Sequence, residues 1–462
     1  MNEPTELLEA LAGFFQGRKT VLVGQPLSQY TRQVTALHRL GAQPPFVIAN
    51  GRGPGPVPGP LGGRHVVALA TADHTATVRA AERLLAHPPH AVRAALDDYD
   101  PDGRALVLSE PNITRTELCG RTVVDVGPEH WHRLFDDTAT DELWDALGVV
   151  KPPSTVVTAD DDELMSSAHS RHDLGHGTLW QADTREGVHV AMERSRLVRD
   201  ERDVRQAVLW ARMHCRRVRI STFVEGLPVA VNGFALADGT AVLRPYEELL
   251  FRQRDRLRFA GCSTYLNLRV EDRELLRTLA ASTGDYLSQT LGFRGAFHIS
   301  GVLAASGFLP YALAPRLGPG HGLLAPLLPD VPLPLLQAAL VSGHDIGMSA
   351  ADLEWVLLQP LETQRAAAVA LHTTVRPDRE GRALWLVRED GRVRPAGRHD
   401  HSDACLVHSA AGEDGAMVVV VAGPGFVPAG GSLAPSAAQA FALADEHWGT
   451  DIGPLNPAMH VR

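Results

Sequence analysis

Over the first third of the chain, short evenly apolar runs alternate with amphipathic stretches. KTVLVGQ, from Lys19, and PFVIANG, from Pro45, are too short and too uniformly apolar for surface helices, and they read as buried parallel strands. Between them TRQVTALHRLG, from Thr31, has helical spacing and ends on Gly41. Strand, helix, strand with turn residues between them is the signature of a βαβ unit. HVVALAT (from His65), ALVLSEP (from Ala105) and TVVDVG (from Thr122) continue the alternation.

The pattern then changes. From Asp141, DELWDALGVVKPPSTVV predicts a helix, a glycine stop and an edge strand after two prolines. GTLWQADTREGVHVAMERSRLV, from Gly177, predicts two strands around a turn, and a charged helix follows from Asp200 to about His214. RVRISTFVEGLPVAVNGFAL (from Arg217) and AVLRPYEELLFR (from Ala241) read as strands of an antiparallel α+β region. The helix ELLRTLAASTGDYLSQTLG, from Glu274, leads into the strand GFRGAF. Beyond Gly343, DLEWVLLQPLETQRAAAVALHTTV predicts a helix-rich piece. ALWLVREDGRVRPAGR has the Asp-Gly turn of a hairpin, and GAMVVVVAGPG reads as a further strand. The expected units are 1–140 (α/β), 141–342 (α+β) and 343–462 (small, mixed).

Composition narrows the class. The chain has 462 residues, 44% hydrophobic and 21% charged, enough for several domains with sizeable cores. A formal net charge of -10 argues against a general nucleic-acid binder. Cys119, Cys215, Cys262 and Cys405 are scattered with no CxxC pair, which fits a reducing cytoplasm. The start, MNEPTELLEALAGFF, lacks the basic segment of a signal peptide. The apolar tract from Gly301 to Ser342 is broken by seven prolines, whereas a membrane helix needs about 20 uninterrupted apolar residues. A cytoplasmic protein with no membrane and no nucleic-acid partner is expected. GRGPGPVPGPLGG, from Gly51, follows a strand, but its prolines forbid the helix that a dinucleotide-binding glycine motif requires.

Two segments carry the chemistry. From Gly292 the chain reads GFRGAFHISGVL, and from Pro310 it reads PYALAPRLGPG. This pair resembles the back wall of the ATP-grasp ligases, GFRGAFxxDGVL followed by ExNPRxGxG. With RVRISTFVEGLPVAVNGFAL and AVLRPYEELLFR, it resembles the actinobacterial peptide ligases of the pheganomycin type in particular. The resemblance implies an ATP-grasp fold, preceded by a Rossmann-like pre-ATP-grasp domain and followed by a small mixed C-terminal domain. It also implies ATP and magnesium as cofactors. In such chemistry ATP phosphorylates a carboxylate and an amine displaces the phosphate, so the protein positions groups and neutralises charge.

Measured against that pattern, the metal-holding Asp, Glu and Asn are replaced by Ser300, Ala312 and Ala314. Of the glycine-rich GxHGG loop, Gly187 and His189 survive, with Val190 and Ala191 in place of glycines. The preceding strand offers Trp180 and Gln181 rather than a phosphate lysine, and Lys151 reads as a linker residue. The hinge STFVEG keeps Glu225 and Gly226, and LRPYEE keeps Arg244 and Glu247, with Arg252 shortly after. Nucleotide contacts are therefore expected at Glu225, Gly187, His189 and Glu247, and no metal ligand is expected. Arg316, His298 and Arg244 are the candidate catalytic residues, acting on a small-molecule or peptide carboxylate.

The expected function is a peptide-ligase-like protein of natural-product biosynthesis with a degenerate magnesium–ATP site and impaired or absent ordinary ligase activity. One alternative is an active but atypical ATP-dependent carboxylate–amine ligase. Another is an ATP-independent repurposed enzyme, or a non-catalytic partner of a companion ligase. Two histidine groups invite a metal reading: His169, His172 and His176 in a polar loop, and His399, His401, Asp403 and Cys405 on one strand face. For both, a solvated loop or strand edge is the simpler reading. No GxSxG elbow is present, and Cys262 reads as a packing residue.

Overall fold

The computed structural model describes residues 4–53, 55–67, 74–110, 112–183, 194–253, 256–379, 381–397, 401–410 and 415–458. The chain opens with α1 (Pro4–Phe15), β1 (Thr20–Val23), α2 (Thr31–Arg39), β2 (Phe46–Asn50) and β3 (Gly63–Val67). It continues with α3 (His74–Ala86), α4 (His90–Tyr99) and β4 (Leu106–Leu108). The strands form a parallel sheet of order β3-β2-β1-β4, as the βαβ pattern predicts. Both faces of β1, β2 and β4 are covered, which is why these strands are evenly apolar. Val21 and Val23 pack with Val78, Leu84 and Leu96 on one side, and Leu22 packs with Leu7, Leu11 and Val34 on the other. A small hairpin of β5 (Glu117–Leu118) and β6 (Arg121–Thr122) follows, pinned by the buried Arg121–Asp100 ion pair at 2.8 Å.

After α5 (Thr140–Ala146) come β7 (Ser154–Thr158), α6 (Asp162–His172), β8 (Thr178–Ala182), β9 (Ser195–Val198), α7 (Glu201–His214) and β10 (Arg217–Thr222). These build an antiparallel sheet of order β7-β10-β8-β9. Asp161 and Asp200 cap the two helices by accepting from Leu164 N–H and Asp203 N–H. The helices cover one face, where Trp180, Val218 and Ile220 meet Met165 and Ala211. Alternation sends Leu179, Gln181 and Arg219 to the other face.

The rest is built on one large sheet. Its strands are β11 (Leu227–Ala235), β12 (Thr240–Val242), β13 (Tyr246–Gln253), β14 (Arg256–Ser263), β15 (Gly295–Ala304) and β16 (Gly307–Ala314), with α8 (Val270–Leu291) inserted before β15. Then follow α9 (His321–Leu324), α10 (Leu333–Val341), α11 (Ala350–Thr363), β17 (Ala367–Thr373), β18 (Arg382–Glu389), β19 (Arg392–Pro395), β20 (Ala404–Ala410), β21 (Ala416–Ala422), α12 (Ala434–Trp448) and β22 (Asn456–Pro457). The order is β16-β15-β11-β13-β14-β17-β21-β20-β18-β19, with β12 pairing β11 and β22 pairing β13. The sheet thus runs unbroken across the expected boundary at 343. Leu353, Val356 and Leu357 of α11 also reach back into the core formed by α1 and α10.

Two readings of the sequence change. The stretch expected to be helix-rich splits: α11 stops at Thr363, and AAVALHT is β17, held between β14 and β21. Backbone pairing with strands distant in sequence overrides the helix propensity of its alanines. The histidine-bearing segment SAHSRH is not a loop but the last turns of α6. The Asp-Gly hairpin stands, with Asp390 and Gly391 at φ 48° and 79° joining β18 to β19. No helix among the described residues is long and apolar enough to cross a membrane.

Candidate functional site

The uncovered face of the small sheet lies over β11, β13, β15 and β16 of the large one, with the β10–β11 connection as hinge. Period-two alternation decides what each strand shows to this cleft. On β13, Leu249 and Phe251 join the C-terminal core with Phe441, while Leu250 and Arg252 line the cleft. On β15, Phe297 and Ile299 pack under α8 with Leu276 and Leu287, while His298, Ser300 and Val302 take the opposite face.

At the hinge end, Ser221–Gly226, Leu179, Leu250, Val302 and Tyr311 line a pocket that is partly open to solvent. Glu225 forms an ion pair with Arg252 at its mouth. Gly226 is required there, because a Cβ would sit 2.5 Å from Val302 Cγ1 and 2.7 Å from the Leu303 carbonyl oxygen.

Deeper in, β15 and β16 hold the three substituted positions together. Ser300 pairs with Ala312, and His298 pairs with Ala314. A register shift between Ser300 and Gly301 leaves Tyr311 without a partner in the ladder, and this bulge brings its side chain to the cleft. A carboxylate not singled out in the sequence, Glu248, faces these residues. Its oxygens accept from Ser300 Oγ at 2.9 Å and from the Tyr311 hydroxyl at 3.0 Å. Burial pushes the Glu248 carboxyl up to about 7, against the lowering effect of those two donors. The Glu-Glu pair in an alternating strand was the available signal: one of the two had to face the cleft.

Magnesium does not fit this wall. Ala312 and Ala314 bring no donor atom, and the two Glu248 oxygens already accept from the Ser300 and Tyr311 hydroxyls. Among the described residues no group of three or more His, Cys, Asp or Glu side chains could hold a metal ion.

The roof of the cleft is equally self-satisfied. Arg219 is fully buried and donates to Asp141 Oδ1 at 2.9 and 2.8 Å and to Gln181 Oε1 at 2.8 Å. Burial alone would push the Asp141 carboxyl up; the Arg219 guanidinium holds it below the usual range. Gln181 Nε2 reaches across to the Tyr311 carbonyl oxygen at 3.4 Å. Lys151 pairs with Asp145 at 2.6 Å and bonds to the Asp141 carbonyl oxygen, in keeping with a linker role. Gly187 and His189 lie outside the described residues.

His298 and Arg316 come together. Burial and the Arg316 charge bring the His298 imidazole down to about 3, so the ring is neutral at physiological pH. Burial also lowers Arg316, to about 10, while Glu110 of the first domain and Asp137 oppose that shift; its guanidinium lies 5.0 Å from the centre of the Phe135 ring. Gly318 packs against both His298 and Asn232, with no room for a Cβ.

Arg244 and Glu247 are placed elsewhere. Arg244 is buried and donates to Glu362 of α11 and to Asn267 Oδ1, both at 2.9 Å. Glu247 points to the face opposite Glu248, where it accepts from Ser432 Oγ and from Leu433 N–H at the start of α12. Both residues tie later helices to the large sheet. His169 and His172 bond to Thr178 Oγ1 at 2.7 Å and Thr155 Oγ1 at 2.8 Å, anchoring α6. Asp403 accepts from Arg388 N–H, His401 is exposed, and His399 lies outside the described residues. Cys262 is buried, and burial pushes its thiol well up.

No family model and no curated protein sequence matches the chain. Solved structures do. An ADP complex of N5-carboxyaminoimidazole ribonucleotide synthetase aligns over 94% of this chain and 98% of its own, at 12% identity and a TM-score of 0.51. Biotin carboxylase from Campylobacter jejuni, bound to a β-γ-ATP ligand, covers 87% of each chain at 11% identity and a TM-score of 0.54. The chain has the ATP-grasp fold. L-amino acid ligase from Bacillus licheniformis covers 88% of this chain and 94% of its own, at 13% identity and a TM-score of 0.50. The three cover 87–94% of this chain.

Proposed function

We propose that this ATP-grasp protein is a peptide-ligase-like component of a peptide natural-product pathway whose cleft does not run ordinary magnesium–ATP chemistry. The observation that carries this reading is the closed Glu248–Ser300–Tyr311 network. It stands where phosphate-bridging magnesium would need free carboxylate oxygens. The likeness in fold to L-amino acid ligase supports the amide-forming class as the origin of the scaffold. The paired Arg316 and neutral His298 favour a second reading, in which the cleft acts on a carboxylate-bearing ligand without ATP.

The test is phosphate release from ATP and magnesium by the purified full chain, with amino acids and dipeptides supplied as acids and amines. Release at the buffer background is expected. The combined substitution Ser300→Asp, Ala312→Glu and Ala314→Asn is expected to gain magnesium-dependent ATP binding that the unmodified protein lacks. Ample turnover by the unmodified protein refutes the reading.

A further inference from the structure

We infer that the open face of the C-terminal strands is the contact surface of a homodimer. Two copies stack face to face about a two-fold axis that runs along the strands, between β20 and β21.

From Met417 to Val421, β21 reads MVVVV, apolar at odd and even positions alike. A strand with two apolar faces is stable when both are covered. α12 covers one of them: Val418 and Val420, with Leu406 and Leu386, pack against Ala437, Ala440 and Phe441. Alternation sends Val419 and Val421 to the other side. There Val421 is 55% exposed, and Trp385 of β18 is 58% exposed. A bare tryptophan beside a bare valine on a flat sheet is a surface that water penalises and a second apolar surface relieves.

The register sets out what this face shows. In one row Trp385 pairs with Cys405 and Cys405 with Val421; Ala368 lies next to Val421, one residue before the Val369–Val420 pair. In the next row Ala383 pairs with Val407, Val407 with Val419, and Val419 with Ala370. None of these eight side chains is charged. Beyond Val387 on the same face, Glu389 and Arg394 pair with each other at 2.7 Å. A charged partner finds little to recognise here. Two copies of a chain with a formal net charge of -10 repel each other, and an uncharged face is where they approach at least cost.

The order within the first row makes the face its own complement. Its bulkiest side chain, Trp385, stands at one end and its smallest, Ala368, at the other. The two-fold axis reverses that order in the second copy. It sets the Trp385 ring over the Ala368–Ala370 end of the facing sheet, Cys405 opposite Val421, and Val407 opposite Val419. Large against small lets two sheets interlock at the usual spacing of about 10 Å. Four strands at about 4.8 Å spacing and five residues at about 3.3 Å each give a flat footprint of roughly 300 Å². Side chains standing off the sheet raise this to roughly 500 Å² of accessible surface per copy, so a dimer buries about 1,000 Å², the lower bound for a specific interface. The association is therefore reversible rather than obligate.

The experiment is sedimentation velocity of the full chain across the micromolar range. A reversible monomer–dimer equilibrium is expected. Trp385→Arg and Ala368→Arg should each raise the dissociation constant about ten-fold or more. Leu174→Ser, an exposed change on the small sheet's side, should leave it unchanged. Trp385→Ala should weaken the dimer, and adding Ala368→Trp to it should restore association, because the large and small ends of the row are then exchanged across the axis. Far-ultraviolet circular dichroism of each variant reports folding, and the two arginine variants place the charge on different strands, so either alone can decide. A chain that stays monomeric at every concentration overturns the inference. So does a dimer that persists in both folded arginine variants, or an exchange that restores nothing in folded protein.

Discussion

Replacing Glu248 with Gln should change stability by an amount that depends on pH, and the sign follows from the environment. Burial raises the Glu248 carboxyl from its ordinary 4.5 to about 7 in the folded protein. Between those values the native state holds a proton that the unfolded chain has released. Stability on this account therefore falls as pH rises from 4.5 and levels off above 7. At about 1.4 kcal/mol per pH unit, the wild type loses roughly 2 to 3 kcal/mol between pH 5 and pH 8.5. The glutamine variant has no such titration. It keeps one good acceptor for the Ser300 and Tyr311 hydroxyls instead of two, a fixed cost of about 1 kcal/mol. The variant should therefore be the weaker protein at pH 5 and the equal or stronger one at pH 8.5. Urea unfolding of both proteins by tryptophan fluorescence, at half-unit steps across that range, reads the difference. A gap that stays constant with pH would show that Glu248 titrates as an ordinary carboxylate, and the argument for a closed, dry wall would fail.

Arg219→Met should cost about 3 to 5 kcal/mol, because it strands the Asp141 carboxylate beneath the small sheet; chemical unfolding of the variant measures it. Gly226→Ala should destabilise by about 1 to 3 kcal/mol, since its Cβ would meet Val302 and the Leu303 carbonyl; chemical unfolding of the variant reads it. Glu247→Ala should lower the urea unfolding midpoint by leaving the Leu433 N–H unpaired, at about 1 to 3 kcal/mol. An unchanged midpoint would mean that Glu247 does not tie α12 to the large sheet.

Much of the scaffold was legible because its signals are local. The apolar runs around Lys19 and Pro45, the glycine stops and the Asp-Gly turn each act within a few residues of themselves. The site was less so, because its logic is set by partners far along the chain. Alternation says that Glu247 and Glu248 face opposite ways, but only α12, arriving nearly two hundred residues later, decides which of them is the cap. Likewise, β17 is a strand because β14 and β21 flank it, and no pattern inside AAVALHT requires that. Tyr311 gave no signal at all: its place in the cleft depends on a one-residue bulge between β15 and β16. His169 and His172 looked like a polar loop because their partners, Thr178 and Thr155, lie on separate strands.

The large sheet has a consequence for how this chain can be taken apart. α11 packs into the core of the first domain, β17 leaves it to pair with β14, and β22 returns at Asn456–Pro457 to β13, beside the cleft. The three units are therefore woven rather than strung. A protease that nicks the chain near 343 should leave two pieces that stay together and migrate as one. An excised middle unit would carry a raw edge at β14 and an uncapped Arg244. Whatever occupies the cleft is held by a wall to which Ala458, well beyond the last helix, also contributes.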